Sequence, residues 1–379
     1  MQVDLSNLLL KCAHCKLCYA GREIFLPICP SAQKYGFEAF RSSGRSALVK
    51  SLLEGRLEFS PKLAEIFYAC TVCGACAEQC PLGYDAVTVF EAIRAEIVKR
   101  GFGPLPRQKV FVESIIKNHN PYREPHEKRT SWIPKTLNVK KKAEILYFVG
   151  CTSSYRTKNI AEATVNVLER LKIDFCISPE EWCCGSPAIR VGVLDIVDEL
   201  LRHNLKLIKE AGVKKVIFSC AGCYRTFKKD YPRFFKELDF EILHVSEFLS
   251  QLIEKEKIKM KEYNKTITYH DPCHLGRHCD IYDPPREILN SIPKVRLLEM
   301  PRNRENSWCC GAGGGVKSGL PQFALETGIE RVKEAEETGA EILVSTCPFC
   351  YRNLVDACKS YEPKITVADL MEILSKVLQ

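Results

Sequence analysis

Residues 182–185 read Trp-Cys-Cys-Gly, and the same four residues recur at 308–311. After each copy comes a second repeated motif, Cys-x-x-Cys-Tyr-Arg, at 220–225 and again at 347–352. Before each copy stands a single cysteine, first Cys151 and then Cys273. Matched cysteines lie 122, 126 and 127 residues apart, so this part of the chain is an internal duplication.

Around these cysteines, short apolar runs alternate with amphipathic stretches. Such alternation predicts α/β units with parallel strands, here as two Rossmann-like repeats over residues 144–262 and 263–379. The carboxyl ends of parallel strands are where open sheets place ligands, and the cysteines fall near those ends. The predicted strands are 145–149, 216–219, 242–245, 267–270, 295–299 and 342–345, and the predicted helices are 159–171, 193–211, 246–255, 321–338 and 367–377.

Eight further cysteines lie before residue 81, in two runs that each end in Cys-Pro. The second run has the C-x2-C-x2-C-x3-C-P spacing of bacterial ferredoxins, in which the fourth cysteine ligates the other cluster. By that crossed rule one four-iron cubane takes Cys12, Cys15, Cys18 and Cys80, and the other takes Cys70, Cys73, Cys76 and Cys29.

A zinc ribbon is the alternative for these eight cysteines, but it uses paired C-x2-C knuckles, and three consecutive ligands plus Cys-Pro fit zinc poorly. The ten residues between Cys18 and Cys29 exceed the usual gap, so the ligation by Cys29 is left open. The sequence predicts a helical ferredoxin-type domain over residues 1–118, with a helix at 85–99. A proline-rich, charged linker is predicted over 119–143. The fold class is therefore α+β and multidomain.

Composition excludes several classes of protein. The 379 residues are 46% hydrophobic and 27% charged, which is typical of a globular chain. Apolar runs such as 145–149 are too short to cross a bilayer, and residues 1–11 show no secretory leader, so we expect no direct membrane span. The 21 cysteines then indicate metal or redox chemistry in a reducing compartment. The net charge of +8 becomes smaller if the thiolates bind clusters. The sequence has no lysine-rich run with interleaved aromatic residues beyond residues 140–142, so nucleic-acid binding is not supported.

Five cysteines per repeat exceed the four that a cubane or a tetrahedral zinc requires. The complete pattern, C-x31–35-C-C-x35–36-C-x2-C, resembles the cysteine-rich CCG domain of heterodisulfide reductases. With the ferredoxin module in front, the chain resembles the D subunit of the membrane-linked form. The stretches His270–His274 and Cys309–Gly315 are similar to that family as well.

The resemblance implies two noncubane [4Fe-4S] clusters besides the two cubanes, with Gly185 and Gly311 letting the backbone approach them. It implies that a small-molecule disulfide, such as the heterodisulfide of coenzymes M and B, is cleaved between the noncubane clusters. The ten cysteines it makes both ligands and catalytic residues are Cys151, Cys183, Cys184, Cys220 and Cys223 in the first set and Cys273, Cys309, Cys310, Cys347 and Cys350 in the second.

The family also leaves a second functional class open. The chain could be an electron-transfer subunit of a flavin-linked glycolate, lactate or glycerol-3-phosphate dehydrogenase, or of a DsrK-like respiratory complex. Either class implies a flavoprotein or a membrane cytochrome b-type partner. Both imply a cytoplasmic protein, held at the cytoplasmic face of the membrane where such a partner binds it.

Other residues have two interpretations each. The glycines at 311–315 could suggest a nucleotide loop, but the fingerprint is incomplete. His270 and His274 are candidate proton donors or hydrogen-bonding partners of a cluster. Three arginines are candidates for binding an anion or for structural ion pairs. Trp182 and Trp308 are expected to pack. The arginines are Arg225, Arg277 and Arg352, and the cysteines outside every motif are Cys176, Cys279 and Cys358.

Overall fold

The computed structural model describes residues 5–134, 140, 142–235, 238–255 and 258–379. Its N-terminal part is helical. Polar caps start two of the helices: the Ser60 side chain accepts from Leu63 N, and the Asp85 side chain accepts from Thr88 N. The helices are α1 Leu5–Leu10, α2 Pro30–Tyr35, α3 Ser42–Leu53, α4 Pro61–Tyr68, α5 Ala75–Glu78, α6 Ala86–Lys99 and α7 Pro106–Asn118.

The first repeat follows as an alternation of strands and helices, as the sequence predicts. Its elements are β1 Ile145–Phe148, α8 Gly150–Tyr155, α9 Lys158–Arg170, β2 Phe175–Cys176, α10 Ser186–Val191, α11 Val197–Ala211, β3 Lys215–Phe218, α12 Ala221–Arg225, β4 Glu241–His244 and α13 Val245–Glu254.

The second repeat has the same plan. Its elements are β5 Lys265–His270, α14 Gly276–Cys279, α15 Asp283–Ser291, β6 Val295–Leu298, α16 Val316–Gly319, α17 Pro321–Glu337, β7 Ile342–Ser345, α18 Pro348–Tyr361, β8 Thr366–Asp369 and α19 Leu370–Val377.

Each repeat forms a four-stranded parallel sheet, and the two strand orders are equivalent: β2-β1-β3-β4 and β6-β5-β7-β8. The same hydrogen bond marks the register in both. Tyr147 on β1 bonds through its hydroxyl to Ser219 at 2.7 Å, and Tyr269 on β5 bonds to Thr346 at 2.7 Å. The duplication seen in the sequence is therefore a duplication of the fold.

Two short strands depart from the predicted elements. Residues 367–377 are predicted as one helix, but Thr366–Asp369 pairs with β7 as a strand and the helix begins at Leu370. Asp369 marks the change, since its side chain accepts from Met371 N and caps the helix. The two-residue strand Phe175–Cys176 is absent from the predicted elements, because two residues carry no periodicity.

The predicted linker, 119–143, packs against the first repeat where it is described. Arg129 and Trp132 are buried, and the His119 ring stacks on Trp182 with ring centroids 3.6 Å apart. Residues 135–139 and 141 of this segment lie outside the described residues. Among the described helices, none has the length and apolar character that would cross a membrane.

Candidate metal centres and the cavity between them

All 21 cysteines are free thiols, and the ten of the two repeats are buried. Buried thiols that converge without forming disulfides are the ligand type that iron–sulfur clusters take. The positions of the eighteen candidate ligands are therefore the first question for function.

The later N-terminal group comes together around α5. Burial first, and then the nearby thiols of Cys70 and Cys73, raises the pKa of Cys29 to about 12. Burial chiefly raises the pKa of Cys76 as well, and its neighbours are Cys70, Cys29 and Cys73 together with Cys18 of the earlier group. Cys29, at the N-terminus of α2, thus lies near the three cysteines with which the crossed rule groups it, and its ligation stays a prediction.

The earlier group is more open. Cys18 lies beside Cys12, and burial raises the pKa of its thiol. Cys15 is exposed, while Cys80 is half-buried and packs with Cys12 against the apolar core of the helical region. The assignment of Cys80 to this group stays a prediction.

The first five-cysteine set forms a continuous chain of thiols. Cys183 is within hydrogen-bonding reach of both Cys151 and Cys184. Cys223 is within reach of both Cys184 and Cys220. These residues come from α8, from the loop before α10 and from the start of α12, at the carboxyl end of the sheet.

The second set repeats this chain at equivalent positions. Cys309 is within hydrogen-bonding reach of Cys273 and Cys310. Cys350 is within reach of Cys310 and Cys347. The structure therefore brings together the five cysteines of each set.

The two sets face one another. The side chains of Cys220 and Cys347 are within hydrogen-bonding reach, which joins the first set to the second. A cavity of about 600 Å³ opens on both sets and is lined by every one of their cysteines except Cys309. A molecule bound in this cavity would contact both sets at once.

The later N-terminal group touches the second set directly. The Cys73 and Cys309 side chains are within hydrogen-bonding reach. Arg277 supports this junction, since its Nε donates to Cys73 O at 2.9 Å and its Nη1 donates to Ser307 O at 2.6 Å. The helical domain therefore reaches the second set through a pair of cysteines, Cys73 and Cys309.

The glycine-rich stretch has its place at this junction. A Cβ at Gly314 would lie 2.7 Å from Cys70 O, and one at Gly313 would lie 2.9 Å from Thr71 O. Only residues without a Cβ let the second repeat approach the ligand loop so closely. The glycine-rich stretch thus packs between two cysteine-bearing loops. This role agrees with the sequence, in which the fingerprint of a nucleotide-binding loop is incomplete.

A buried ion network fixes the helical domain on the first repeat. Glu91 on α6 accepts two 2.6 Å hydrogen bonds from Arg190 on α10, which also pairs with Asp230. Arg225 on α12 pairs with Glu91 at 3.4 Å. Burial by itself would raise the pKa of Glu91, but Arg190 and then Arg225 hold it below its usual value. Glu91 is therefore a charged residue at a buried domain contact.

Arg225 also fixes the protonation state of His274, which lines the cavity. Its Nη1 donates to His274 Nε2 at 3.1 Å, so the imidazole is neutral with its proton on Nδ1. Burial first, and then Arg225, holds the pKa of His274 well below its usual value. His274 is accordingly a hydrogen-bonding partner and not a charged proton donor.

Arg129 is a residue that sequence reasoning missed. Both its Nη atoms lie near the Cys151 sulfur, at 3.7 and 3.8 Å, and Nη2 pairs with buried Glu181 at 3.1 Å. Glu181 in turn accepts from the backbone of Val149 and Gly150. Arg129 lies in the segment predicted as a linker, and no motif marks it.

The two glycines after the Cys-Cys pairs have a backbone role. Gly185 has φ +87° and Gly311 has φ +90°, in the left-handed region that favours glycine. A Cβ at Gly311 would also lie 2.6 Å from Ala324 O on α17. The absence of a side chain at Gly311 thus allows the backbone to lie close to helix α17. Trp308 packs as expected, with its Nε1 donating to Thr327 O at 3.0 Å.

The donor set fits iron–sulfur clusters. Each five-cysteine set has nitrogen-bearing side chains beside its sulfurs: Arg129 lies beside the first set. His270 lies beside Cys310 and Cys350 of the second set, and His274 and His278 lie beside Cys273. Hydrogen-bond donors commonly surround the thiolate ligands of such clusters, where they orient the ligands and tune the metal.

Two family models match the chain. The cysteine-rich CCG domain matches residues 145–228 and again 267–355, and a 4Fe-4S dicluster domain matches residues 8–84. These matches cover the duplication and the helical region with its eight cysteines.

Among the proteins to which the chain is similar are subunits of two enzymes of methanogens. The chain is 46% identical to the D subunit of dihydromethanophenazine:CoB–CoM heterodisulfide reductase of Methanosarcina barkeri, over 87% of this chain and 83% of that one. It is 36% identical to the B subunit of fumarate reductase (CoM/CoB) of Methanothermobacter marburgensis, over 82% of this chain and 61% of that one. A hypothetical protein from Helicobacter pylori shares the fold, with a TM-score of 0.63 at 13% identity, over 98% of this chain and 76% of that one.

Proposed function

The chain belongs to the family of heterodisulfide reductase D subunits, and from this premise we propose that it reduces a disulfide in the cavity between its two five-cysteine sets. The substrate is the heterodisulfide of coenzymes M and B or a related thiol disulfide. The chain works in a complex, with a membrane cytochrome b-type or flavoprotein subunit as its electron donor.

The observation that carries this proposal is the shared cavity. A protein that only passes electrons needs its centres spaced along a path, and nothing in that task calls for ligand sets on both sides of a substrate-sized space. Here Cys220 and Cys347 lie within hydrogen-bonding reach, and cysteines of both sets line the same walls. Both sulfurs of a disulfide bound between them would face a metal-binding set.

We assign the N-terminal cysteines to two cubanes and the ten repeat cysteines to two noncubane clusters. When bound, such clusters supply electrons singly and iron that accepts a thiolate. Reduction of one disulfide consumes two electrons and two protons and yields two thiols. The contact of Cys73 with Cys309 makes the second set the point where electrons enter the repeats.

Charge on the cavity wall supports an anionic substrate. Among the cations that line the cavity, Lys317 is paired with Asp356 at 2.7 Å and Arg190 is paired with Glu91 at 2.6 Å, so both are neutralised. Lys359 lines the cavity as well. Arg352 lines the cavity over the Tyr122 ring, 5.5 Å from its centroid, and has no carboxylate partner within the described part of the chain. Its guanidinium can therefore take a sulfonate, phosphate or carboxylate of the substrate.

The test is disulfide-dependent oxidation of reduced benzyl viologen by anaerobically purified protein with its iron intact. We expect turnover with the heterodisulfide of coenzymes M and B, and slower turnover with an uncharged disulfide of similar size, because Arg352 would have no anion to bind. Arg352→Gln should raise KM for the anionic disulfide by roughly 10-fold, as loss of one charge-assisted contact does. No turnover with any disulfide would reject the proposal and favour a pure electron-transfer protein.

A further inference from the structure

The two repeats differ at one buried position beside their cysteines. Tyr147 and Tyr269 make the same hydrogen bond in the two sheets, so the residues that follow them, Phe148 and His270, are equivalent. Phe148 is packed against the Phe218 and Phe227 rings, with centroids 5.4 and 5.0 Å away. His270 is fully buried at the end of β5, where an apolar side chain would be the ordinary choice.

The tautomer of His270 is fixed by its neighbour. Arg331 on α17 donates from Nε to His270 Nδ1 at 3.1 Å. An arginine side chain has no acceptor, so Nδ1 must present its lone pair and the neutral ring carries its proton on Nε2. Arg331 is itself held by Arg302 O at 2.8 Å and Glu334 at 2.8 Å, which keeps the donor in place.

The second cysteine set lies beside the His270 ring. A ring nitrogen of His270 lies within 4.8 Å of the sulfurs of Cys310 and Cys350, and Nε2 is the nitrogen left to bond them, because Nδ1 accepts from Arg331. Nε2 is buried, and within the described residues it has no other hydrogen-bond partner. A buried donor without a partner costs free energy, so the fold retains it for an acceptor that the sulfurs provide.

We propose that His270 donates an N–H···S hydrogen bond to the cluster of the second set, through Cys310 or a neighbouring sulfur, and so makes this cluster easier to reduce than it would be without that bond. A hydrogen bond to a ligand sulfur withdraws negative charge from it and favours the reduced cluster. His270 is thus a positioning and tuning residue. The inference rests on the proposed function, because it requires a cluster in the second set.

The proposed hydrogen bond would make the cluster of the second set easier to reduce, which favours electron transfer toward the cavity. In the proposed function electrons reach the second set first, through the contact of Cys73 with Cys309. At the first set the corresponding position is Phe148, and the nitrogen donor is instead the Arg129 guanidinium on Cys151. An easily reduced second set would draw the electron out of the helical domain toward the cavity.

The first test is a redox titration followed by electron paramagnetic resonance, comparing the natural protein with His270→Phe, which copies the first repeat. We expect the midpoint potential of one cluster to shift to a more negative value while the others stay unchanged. His270→Gln, whose amide can still donate, should recover part of the shift. Thr268→Val is the control, because Thr268 is fully buried on the same face of β5, and it should leave every potential unchanged.

The second test is spectroscopic and starts from the natural protein labelled with ¹⁵N-histidine. The second-set cluster should show an exchangeable proton and a weak ¹⁵N coupling. In His270→Gln the ¹⁵N coupling from His270 should be lost, while the exchangeable proton should stay. Any ¹⁵N coupling from His274 and His278, which lie within 4.8 Å of the Cys273 sulfur, should stay too. A strong coupling without an exchangeable proton would mean direct ligation by His270 and would overturn the inference.

Unchanged potentials in His270→Phe at full iron content would overturn the inference too. If that variant loses iron, the ¹⁵N coupling of the natural protein and the midpoint potentials of His270→Gln decide whether the inference holds. The absence of any cluster signal from the second set would instead reject the proposed function.

Discussion

Replacing Cys310 by alanine is expected to abolish disulfide reduction, with a loss of at least about 100-fold in the viologen assay. Loss of an outer partner of a metal site costs about 10–100-fold, and Cys310 is a candidate ligand itself. It stands between Cys309 and Cys350 in the chain of thiols, and it lines the cavity. The two N-terminal cubanes should remain reducible by dithionite, because their eight cysteines are untouched.

The matched control is Cys358→Ala. Cys358 lies on α18, the helix that also carries Cys350, but it is outside every motif and half-buried. Its replacement should leave the rate within about twofold, as for a small buried side chain away from the site. Full activity of Cys310→Ala would exclude the second set from the reaction, and loss of all cluster signals would show that the helical domain depends on the repeats.

The second large effect is a loss of stability caused by the substitution Glu91→Ala. Glu91 balances Arg190 and Arg225 at a contact where all three side chains are at least nine-tenths buried. Removing one member of a buried ion pair leaves uncompensated charge and typically costs about 3–5 kcal/mol. We expect this loss in the local opening free energy of α6 and α10, measured by hydrogen exchange of the cluster-loaded protein.

Glu96→Ala gives the comparison on the same helix. Glu96 has a side chain that is 40% exposed and pairs with Arg100 at 3.7 Å, so its removal should cost less than about 1 kcal/mol. If Glu91→Ala changes hydrogen exchange no more than Glu96→Ala does, the buried network does not hold the helical domain on the first repeat.

The sequence alone was enough to predict the internal repeat and the grouping of its cysteines. Spacing alone placed Cys151 with the Cys183-Cys184 pair, because a duplication repeats both the ligands and the strands that hold them. The crossed rule assigns Cys29 to the later cubane with its ligation left open because of the long gap. The structure places this thiol beside Cys70 and Cys73, and its ligation stays a prediction. Short-range patterns sufficed wherever ligands follow a strand or begin a helix.

What the sequence could not provide are contacts between distant segments. Arg129 lies 22 residues before Cys151, in a segment whose prolines and charges suggest a linker, and its role depends on Glu181. The contact of Cys73 with Cys309 joins two domains and has no local signature. Residues 367–369 of the last strand are predicted as helix because Val367 and Ala368 lead into the apolar residues of α19 without a turn signal between them.

Under the proposed function four clusters occupy this chain, and two of them face one cavity. The iron, zinc and acid-labile sulfide content per chain of anaerobically purified protein tests this directly. We expect about sixteen irons and little zinc, as four four-iron clusters require. About eight irons, with or without zinc in the repeats, would leave only the helical domain loaded and would be incompatible with disulfide reduction between two clusters.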